Sequence, residues 1–320
     1  MNVLWLSEIN SKDLNLVGFK ALKLAELYKQ DLPIPQGFII TSNVFKKFLE
    51  NSRIDKQIFS ILNILDINNF KLLQNKVEEI KEIIMKAEFP VKLKDEIFEA
   101  YDNLNIDENV WRRANKPALE LIRSGRTLPY LAVRSSLITH EDKDKATYLN
   151  VKGIASLINI IKRAWTSAFS FDNIYYRNKN NVPHEDISVA IIIQKMINSS
   201  KSGIVYVNNQ DNEIKVEAIN GMAELLLNKI VNPNVYSVDK SEVFIKDKKL
   251  AKQEVYLTRD DFGNNVRKNL DESKRVLTDD EISLLAAYYK RLSEYYNNDI
   301  QFEYAIENSK TYVIKVNENI

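Results

Sequence analysis

The chain has 320 residues, 28% of them charged and 45% hydrophobic, which is the make-up of a folded globular protein and excludes disorder as its main state. Lys and Arg number 45 against 44 Asp and Glu, so a net charge of +1 gives no global field toward nucleic acid or anionic membrane, and neither partner is expected. The absence of cysteine excludes disulfides, thiol nucleophiles and Cys-ligated metals, and two histidines, His140 and His184, cannot build a multi-histidine centre, which leaves chemistry to carboxylates, Lys, Arg and backbone amides.

The opening residues, Met1 to Leu6, meet Glu8 before an apolar signal core can form, and runs such as Val189 to Ile193 are far too short to cross a bilayer; a cytoplasmic location is expected. Leu22 and Ala25, with Leu24, Leu27 and Tyr28, put an apolar stripe on a short helix that Pro33 and Pro35 forbid from continuing. Phe38 to Ile40 reads as a buried strand, Ser42 as a cap for the next helix, and Val44, Phe45, Phe48 and Leu49 as that helix's buried face. From Gln57 to Leu104 the spacing of Ile61, Ile64, Leu65, Val77, Ile80 and Ile84 predicts two or three helices, interrupted at Pro90.

Trp111 to Lys116, with Arg123 and Arg126, concentrates positive charge, as a solvated helix face or as a docking surface for an acidic partner or phosphate. Leu131 to Val133 is a short strand ending in Arg134-Ser135-Ser136, and Ile154 to Tyr176 is helical by periodicity, with Trp165, Phe169 and Tyr175 as bulky core candidates. Beyond Pro183 come β-branched strands: Val189 to Ile193, Gly203 to Val207, Ile214 to Ile219, Val235 to Val238, then weaker ones between Lys240 and Arg259. Thr278-Asp279-Asp280-Glu281 is a capping box opening a helix to Tyr296, and Asp299 to Ile306 with Thr311 to Val316 closes the sequence as a hairpin. The expected organisation is α+β, with a helix-rich subdomain over 1–185 and a sheet-based one over 186–320.

No Walker loop, dinucleotide glycine triplet, zincin helix or nucleophile elbow is present. Seven glycines are roughly a third of average usage, so a ligand must be held by side chains. Three places stand out. Val17-Gly18-Phe19-Lys20 puts a cation at the mouth of a helix, where a bound anion would compensate it. Arg134-Ser135-Ser136 at a strand end is suited to phosphate. Alternation places Asp299, Gln301 and Glu303 on one face of the last hairpin, with Lys315 and Asn317 across from them, as oxygen ligands for a nucleotide's magnesium or as a salt-bridged surface.

Val17 to Glu26, followed by Pro35-Gln36-Gly37-Phe38 with Thr41, Phe45 and Phe48, resembles the opening of the nucleotide-binding domain of the phosphoenolpyruvate synthase and pyruvate phosphate dikinase family. Leu131 to Ser136, with Ile138 to Asp142 and Tyr148 to Val151, resembles that family's phosphate-contacting strand and loop. Ile193 to Ile197, Ser202 to Val205, Gly221-Met222-Ala223-Glu224, Asn232-Pro233 and the hairpin Ile300 to Tyr304 with Tyr312 to Lys315 are similar to its later landmarks, so the resemblance covers essentially the whole chain.

The resemblance implies an ATP-grasp-like fold, two subdomains with a cleft for ATP and magnesium between them, whose full-length members pass a phosphoryl group to a histidine on a swivelling domain. It also implies that the sequence ends where that domain would begin, with the acceptor on a partner chain carrying a phosphohistidine domain or a small molecule. Neither His140 nor His184 sits in a carrier-histidine motif.

Position by position, Lys20 and Arg134 match the phosphate-binding and catalytic Lys and Arg. Ser135, Gln194, Met196, Glu224 and Lys315 fall among the nucleotide contacts, and Glu303 and Gln301 at the metal. Departures accompany the matches. Phe19 replaces a glycine, the glycine-rich cover shrinks into the charged run Glu141 to Lys145, Gln301 stands for an Asp, Lys315 for a Gln and Asn317 for an Arg. A lysine at a metal site opposes a divalent ion, so Lys315 is expected either to contact phosphate in the ion's place or to mark a catalytically inactive relative kept as a protein-binding scaffold.

Overall fold

A computed structural model describes residues 1–67, 69–106, 108–124, 126–138, 147–208, 212–270 and 275–318. The chain divides into two units, Met1–Lys29 with Gln36–Met196 and Gln30–Pro35 with Ile197–Ile320. In the first unit, β1 (Val3–Trp5), α1 (Leu14–Lys29), β2 (Gly37–Ile40), α2 (Ser42–Asn51), α3 (Asp55–Asn63), α4 (Phe70–Lys86), α5 (Val91–Asn103), α6 (Glu108–Arg113) and α7 (Lys116–Arg123) precede β3 (Leu131–Leu137), β4 (Thr147–Val151), α8 (Ile154–Thr166), α9 (Phe171–Lys179) and β5 (Val189–Lys195). The second unit holds β6 (Lys201–Asn208), β7 (Glu213–Asn220), α10 (Glu224–Leu227), β8 (Asn234–Asp239), β9 (Ile245–Lys249), β10 (Val255–Arg259), β11 (Asn265–Asn269), α11 (Asp279–Tyr296), β12 (Ile300–Glu307) and β13 (Lys310–Glu318).

The first sheet is antiparallel with order β1-β2-β5-β3-β4. Phe38 and Ile40 of β2, Leu131, Val133 and Leu137 of β3, and Val189, Ile191 and Ile193 of β5 share its core face by period-two alternation, packed with the α2, α4 and α8 side chains. Trp165 anchors that core, its ring 4.9 Å from Phe48 and 5.8 Å from Phe89 by centroids. Because β5 pairs with both β2 and β3, it belongs to the first unit, and the division falls at 196/197 where 185/186 was expected. The segment Gln30–Pro35 departs to the second unit, where the Pro33 carbonyl accepts from the Val313 amide at 2.9 Å and Asp31 lies 3.8 Å from Arg291.

Several elements differ from expectation for local reasons. The Ser42 hydroxyl donates to the Asn15 carbonyl at 3.1 Å and caps nothing; Thr41 is the residue preceding that helix. The 154–176 helix breaks at 167–170, where the Ser170 hydroxyl accepts from the Asn173 amide to start α9, and this leaves Tyr175 half-buried against Phe171. Arg123 pairs with Asp102 at 2.9 Å and donates to Asn103 at 2.7 Å, while Arg126 donates to the Asn105 carbonyl at 2.8 Å, so these two arginines tie α7 and its successor to the end of α5. No helix among the described residues is long and apolar enough to cross a membrane.

The second unit is a six-stranded antiparallel sheet, β13-β12-β6-β7-β8-β9, with the separate hairpin β10-β11. Ile282, Leu285, Ala286, Tyr289 and Leu292 bury one side of α11, which packs on β12, β6 and β7. The expected capping box is present: Thr278 Oγ1 accepts from the Glu281 amide at 3.2 Å, and the Thr278 amide donates to Glu281 at 2.8 Å. The turn Asn308-Ser309 has φ of 50° and 62°, the two consecutive left-handed residues that a tight hairpin demands.

Candidate functional site

Gly18 interrupts the start of α1 with φ 76° and ψ 167°, a conformation open to glycine. An added Cβ there would lie 2.4 Å from Ser136 Oγ and 3.0 Å from the Leu137 carbonyl oxygen, so the backbone at Gly18 rests directly on β3. Two residues on, Lys20 Nζ donates to the Ser135 carbonyl at 3.4 Å. Ser136 Oγ is fully buried beneath Gly18 and makes no hydrogen bond among the described residues.

β3 runs through to Leu137, so Arg134, Ser135 and Ser136 are interior strand residues where a strand end was expected. Alternation then separates them. Ala132, Arg134 and Ser136 share the face on which Gly18 rests, and Ser135 turns to the core face beside Ile191. Ser135 therefore offers Lys20 its carbonyl, while its side chain, 2% exposed, is on the side away from Arg134. Gln194 is paired with Ala132 and Gly37, which puts it on the Arg134 face. A Cβ at Gly37 would meet Gln194 Cγ at 2.7 Å, so the Gln194 side chain lies across that glycine. Met196, just past β5, donates its amide to the Tyr130 carbonyl at 2.8 Å. The first unit thus places Arg134 and Gln194 on one face of the sheet and Lys20 against the β3 backbone at Ser135, and leaves the Ser135 side chain on the other face. Thr139 to Asp142 and the Glu141 to Lys145 run, with His140, lie outside the described residues.

In the second unit, Gln301 stands opposite Asn317 and Glu303 opposite Lys315, the cross-strand pairs the alternation implied. Lys315 Nζ is 3.7 Å from Glu303 Oε1. Asp299 does not join them. It precedes the strand, pairs with Lys240 at 2.8 Å and accepts from the Tyr289 hydroxyl at 3.0 Å; the Lys240 bond leads in holding its carboxyl below the usual range. Glu224 opens α10 and accepts from Asn265 at 3.2 Å.

Register carries the Glu303 face onward to Ile204 and Glu217. There the Tyr206 hydroxyl donates to Glu217 at 3.0 Å, and burial, followed by the Glu217 charge, pushes that phenol up to about 12. Tyr206 and Glu217 were not among the expected site residues; the alternation through Gly203 to Val207 and Ile214 to Ile219 carries the signal that would have found them.

The donors on this face do not fit a magnesium ion held by the protein. Such an ion needs hard oxygen ligands, commonly carboxylates. Here Gln301 and Asn317 are neutral, Glu303 already faces an ammonium, and Glu217, farther along the face beyond Ile204, already accepts from the Tyr206 hydroxyl. A unit charge pair at 4 Å is worth about 4 kcal/mol at an effective dielectric near 20, and twice that for a divalent ion, before solvent screening reduces it at half-exposed Lys315. No group of three or more potential metal-binding side chains occurs among the described residues.

His184 is buried, and its Nδ1 accepts from Arg177 Nε at 3.2 Å. Burial, then the Arg177 charge, pushes its imidazole down to about 4 from an ordinary 6.5. The unfolded chain therefore binds the extra proton first, and stability is lost as pH falls from 6.5 toward 4, by roughly 2–3 kcal/mol from this residue. His184→Gln, which keeps an acceptor for Arg177, is expected to flatten the difference between urea unfolding at pH 5 and pH 7 by about 2 kcal/mol. An unchanged difference would place the acid sensitivity elsewhere.

Residues 14–316 match the family described as pyruvate phosphate dikinase, AMP/ATP-binding domain. A probable phosphoenolpyruvate synthase of Archaeoglobus fulgidus is 33% identical over 98% of this chain and 41% of its own length. The probable phosphoenolpyruvate synthase of Methanothermobacter thermautotrophicus is 29% identical over 98% of this chain and 45% of its own length. The phosphoenolpyruvate synthase of Pyrococcus furiosus is 29% identical over 97% and 43%, respectively. The chain spans less than half the length of each of these relatives. A D-alanine–D-alanine ligase of Bacillus anthracis superposes with a TM-score of 0.24 at 10% identity, covering 65% of this chain and 48% of that one, which is too little overlap to bear on the fold.

Proposed function

The chain belongs to the pyruvate phosphate dikinase AMP/ATP-binding domain family, and from that premise we propose that it binds ATP, with Lys20 and Arg134 on the phosphates, and acts as the ATP-using component of a phosphotransferase. The observation that carries the reading is the meeting of two cationic segments on one strand: Gly18 lies against Ser136, and this sets the Lys20 ammonium 3.4 Å from the Ser135 carbonyl, next to Arg134. Gln194 and Met196 border the base in this reading.

Phosphoryl transfer asks a protein mainly for positioning and charge neutralisation, which a Lys and an Arg supply. The acceptor is a histidine on a partner's phosphohistidine domain or a small molecule. His184 does not serve, being buried with Nδ1 engaged by Arg177.

Isothermal titration with ATP tests the proposal. Saturable binding that Lys20→Ala weakens by about tenfold or more is expected, the loss of one charge-assisted hydrogen bond being worth about 1.5–3 kcal/mol. No heat at millimolar ATP would overturn it in favour of the protein-binding scaffold, a reading to which the ion-paired Glu303 also lends support.

A further inference from the structure

We propose that a cavity beside β1, wholly within the first unit, is a second binding site, one that takes a small guanidinium compound bearing an oxygen acceptor, of the arginine type. The cavity measures about 590 Å³, within the usual range for a small ligand, and Lys20, Arg134 and Gln194 are not among the residues lining it. The site is therefore additional to the ATP reading and does not depend on it.

The walls come from β1, α5 and α6. Trp5 and Trp111 supply the aromatic one, both half-buried, with ring centroids 5.1 Å apart and planes at 39°. Glu96, Glu99 and Asn103 recur at helical spacing along one face of α5 and supply the polar one. Glu8 adds a third carboxylate, fixed by the Trp5 amide, which donates to it at 2.8 Å. Among the lining side chains, these three carboxylates stand against one ammonium, Lys47, which is held on Asn2 Oδ1 at 2.9 Å. Asn2 in turn donates to Glu96 at 2.7 Å and fixes that carboxylate too.

The groups left over define the ligand. Glu99 is exposed and makes no hydrogen bond or ion pair among the described residues. Asn103 is 4% exposed and its Oδ1 accepts from Arg123 at 2.7 Å, while its NH2 has no acceptor among the described residues. A buried donor without a partner is costly, and an oxygen on the ligand relieves that cost. The carboxylates are not grouped as a metal ion requires, which leaves an organic cation that spans more space. A planar guanidinium stacks on an indole face and forks onto a carboxylate, and a compact ammonium does neither as well. β1 is an edge strand, yet the Trp5 amide that an added strand would use is already taken by Glu8, so the occupant is a small molecule and not a peptide extending the sheet.

Tryptophan fluorescence of the full chain tests the proposal, because Trp5 and Trp111 line the cavity while Trp165, the third tryptophan, is fully buried in the core. Titration with L-arginine is expected to give a saturable change with a Kd of about 1 mM or tighter. Glu99→Gln, at an exposed helix position, is expected to weaken it about fivefold or more, and L-lysine and agmatine to bind about fivefold or more weaker than L-arginine. No saturable change up to about 20 mM L-arginine overturns the proposal. So does a Glu99→Gln chain, folded by circular dichroism, that binds as the wild type does, since the ligand then sits elsewhere; if that chain is unfolded, Glu99→Ala takes its place and the wild-type titration still decides. L-lysine binding as tightly as L-arginine overturns the guanidinium assignment, and agmatine, which lacks the carboxylate, doing so overturns the oxygen acceptor. An arginine-containing peptide with blocked ends that binds about tenfold or more tighter than L-arginine overturns the small-molecule assignment.

Discussion

Arg134→Ala is expected to weaken ATP binding by roughly 10- to 150-fold, the equivalent of one charge-assisted contact to phosphate. Arg134 lies mid-strand in β3, half-buried, on the face against which Gly18 packs, and its strand neighbour Ser135 gives Lys20 its carbonyl anchor. The backbone pairing that positions it, with Ile192 on one side and Thr147 on the other, does not need the guanidinium, so stability is expected to change by about 1 kcal/mol or less. Arg134→Lys should recover charge but not the planar fork, and so restore only part of the affinity. Calorimetric binding alongside urea unfolding separates the possibilities. A loss of several kcal/mol in stability, with Arg134→Lys binding as tightly as wild type, would make Arg134 a packing residue.

Gly203→Ala is expected to destabilise the second unit strongly. Gly203 is central in β6, flanked by β12 and β7, and a Cβ built on it falls 1.8 Å from the Glu217 carbonyl oxygen and 2.7 Å from the Tyr304 hydroxyl. That hydroxyl donates to the same carbonyl at 3.0 Å, so the missing side chain is the space through which a buried tyrosine reaches its acceptor. One methyl group would push two strands apart or break that bond, with a loss of about 3 kcal/mol. Gly153→Ala is the control: its added Cβ meets nothing within 4 Å, and only its φ of 82° is strained, so a loss of about 1 kcal/mol is expected. Equal losses at the two positions would show that the crowding at Gly203 relaxes.

Much of this architecture was legible because apolar periodicity and turn chemistry are local. The helices around Pro90, the Thr278 capping box and the final hairpin follow from residues within a few positions of one another. The facing pairs Gln301/Asn317 and Glu303/Lys315 were not fixed by the turn: the register from Glu307/Lys310 would set Glu303 opposite Ile314, and the shift between Glu303 and Tyr304 brings Lys315 there instead. What was not legible depends on pairing at long range. Leu131 to Ser136 does not announce that β3 continues to Leu137, because its continuation is secured by β5, more than fifty residues on. The separation of the Ser135 side chain from Arg134 is a consequence of that extra length. Asp299 obeyed the alternation in sequence and left it in space, because Lys240 and Tyr289 hold it. The 196/197 division has the same origin: the β-branched run Val189 to Ile193 looks like the start of a new sheet until its partners, β2 and β3, are known.

The Pro33 carbonyl and the Val313 amide make the second unit a non-contiguous object. β13 is the outermost strand of its sheet, and a piece of chain cut at Ile197 would keep the strand and discard its cover. An uncovered strand border is a template for another copy. Dissecting the protein into halves therefore calls for carrying Gln30–Pro35 along with the second half, through a linker or a rearranged chain order.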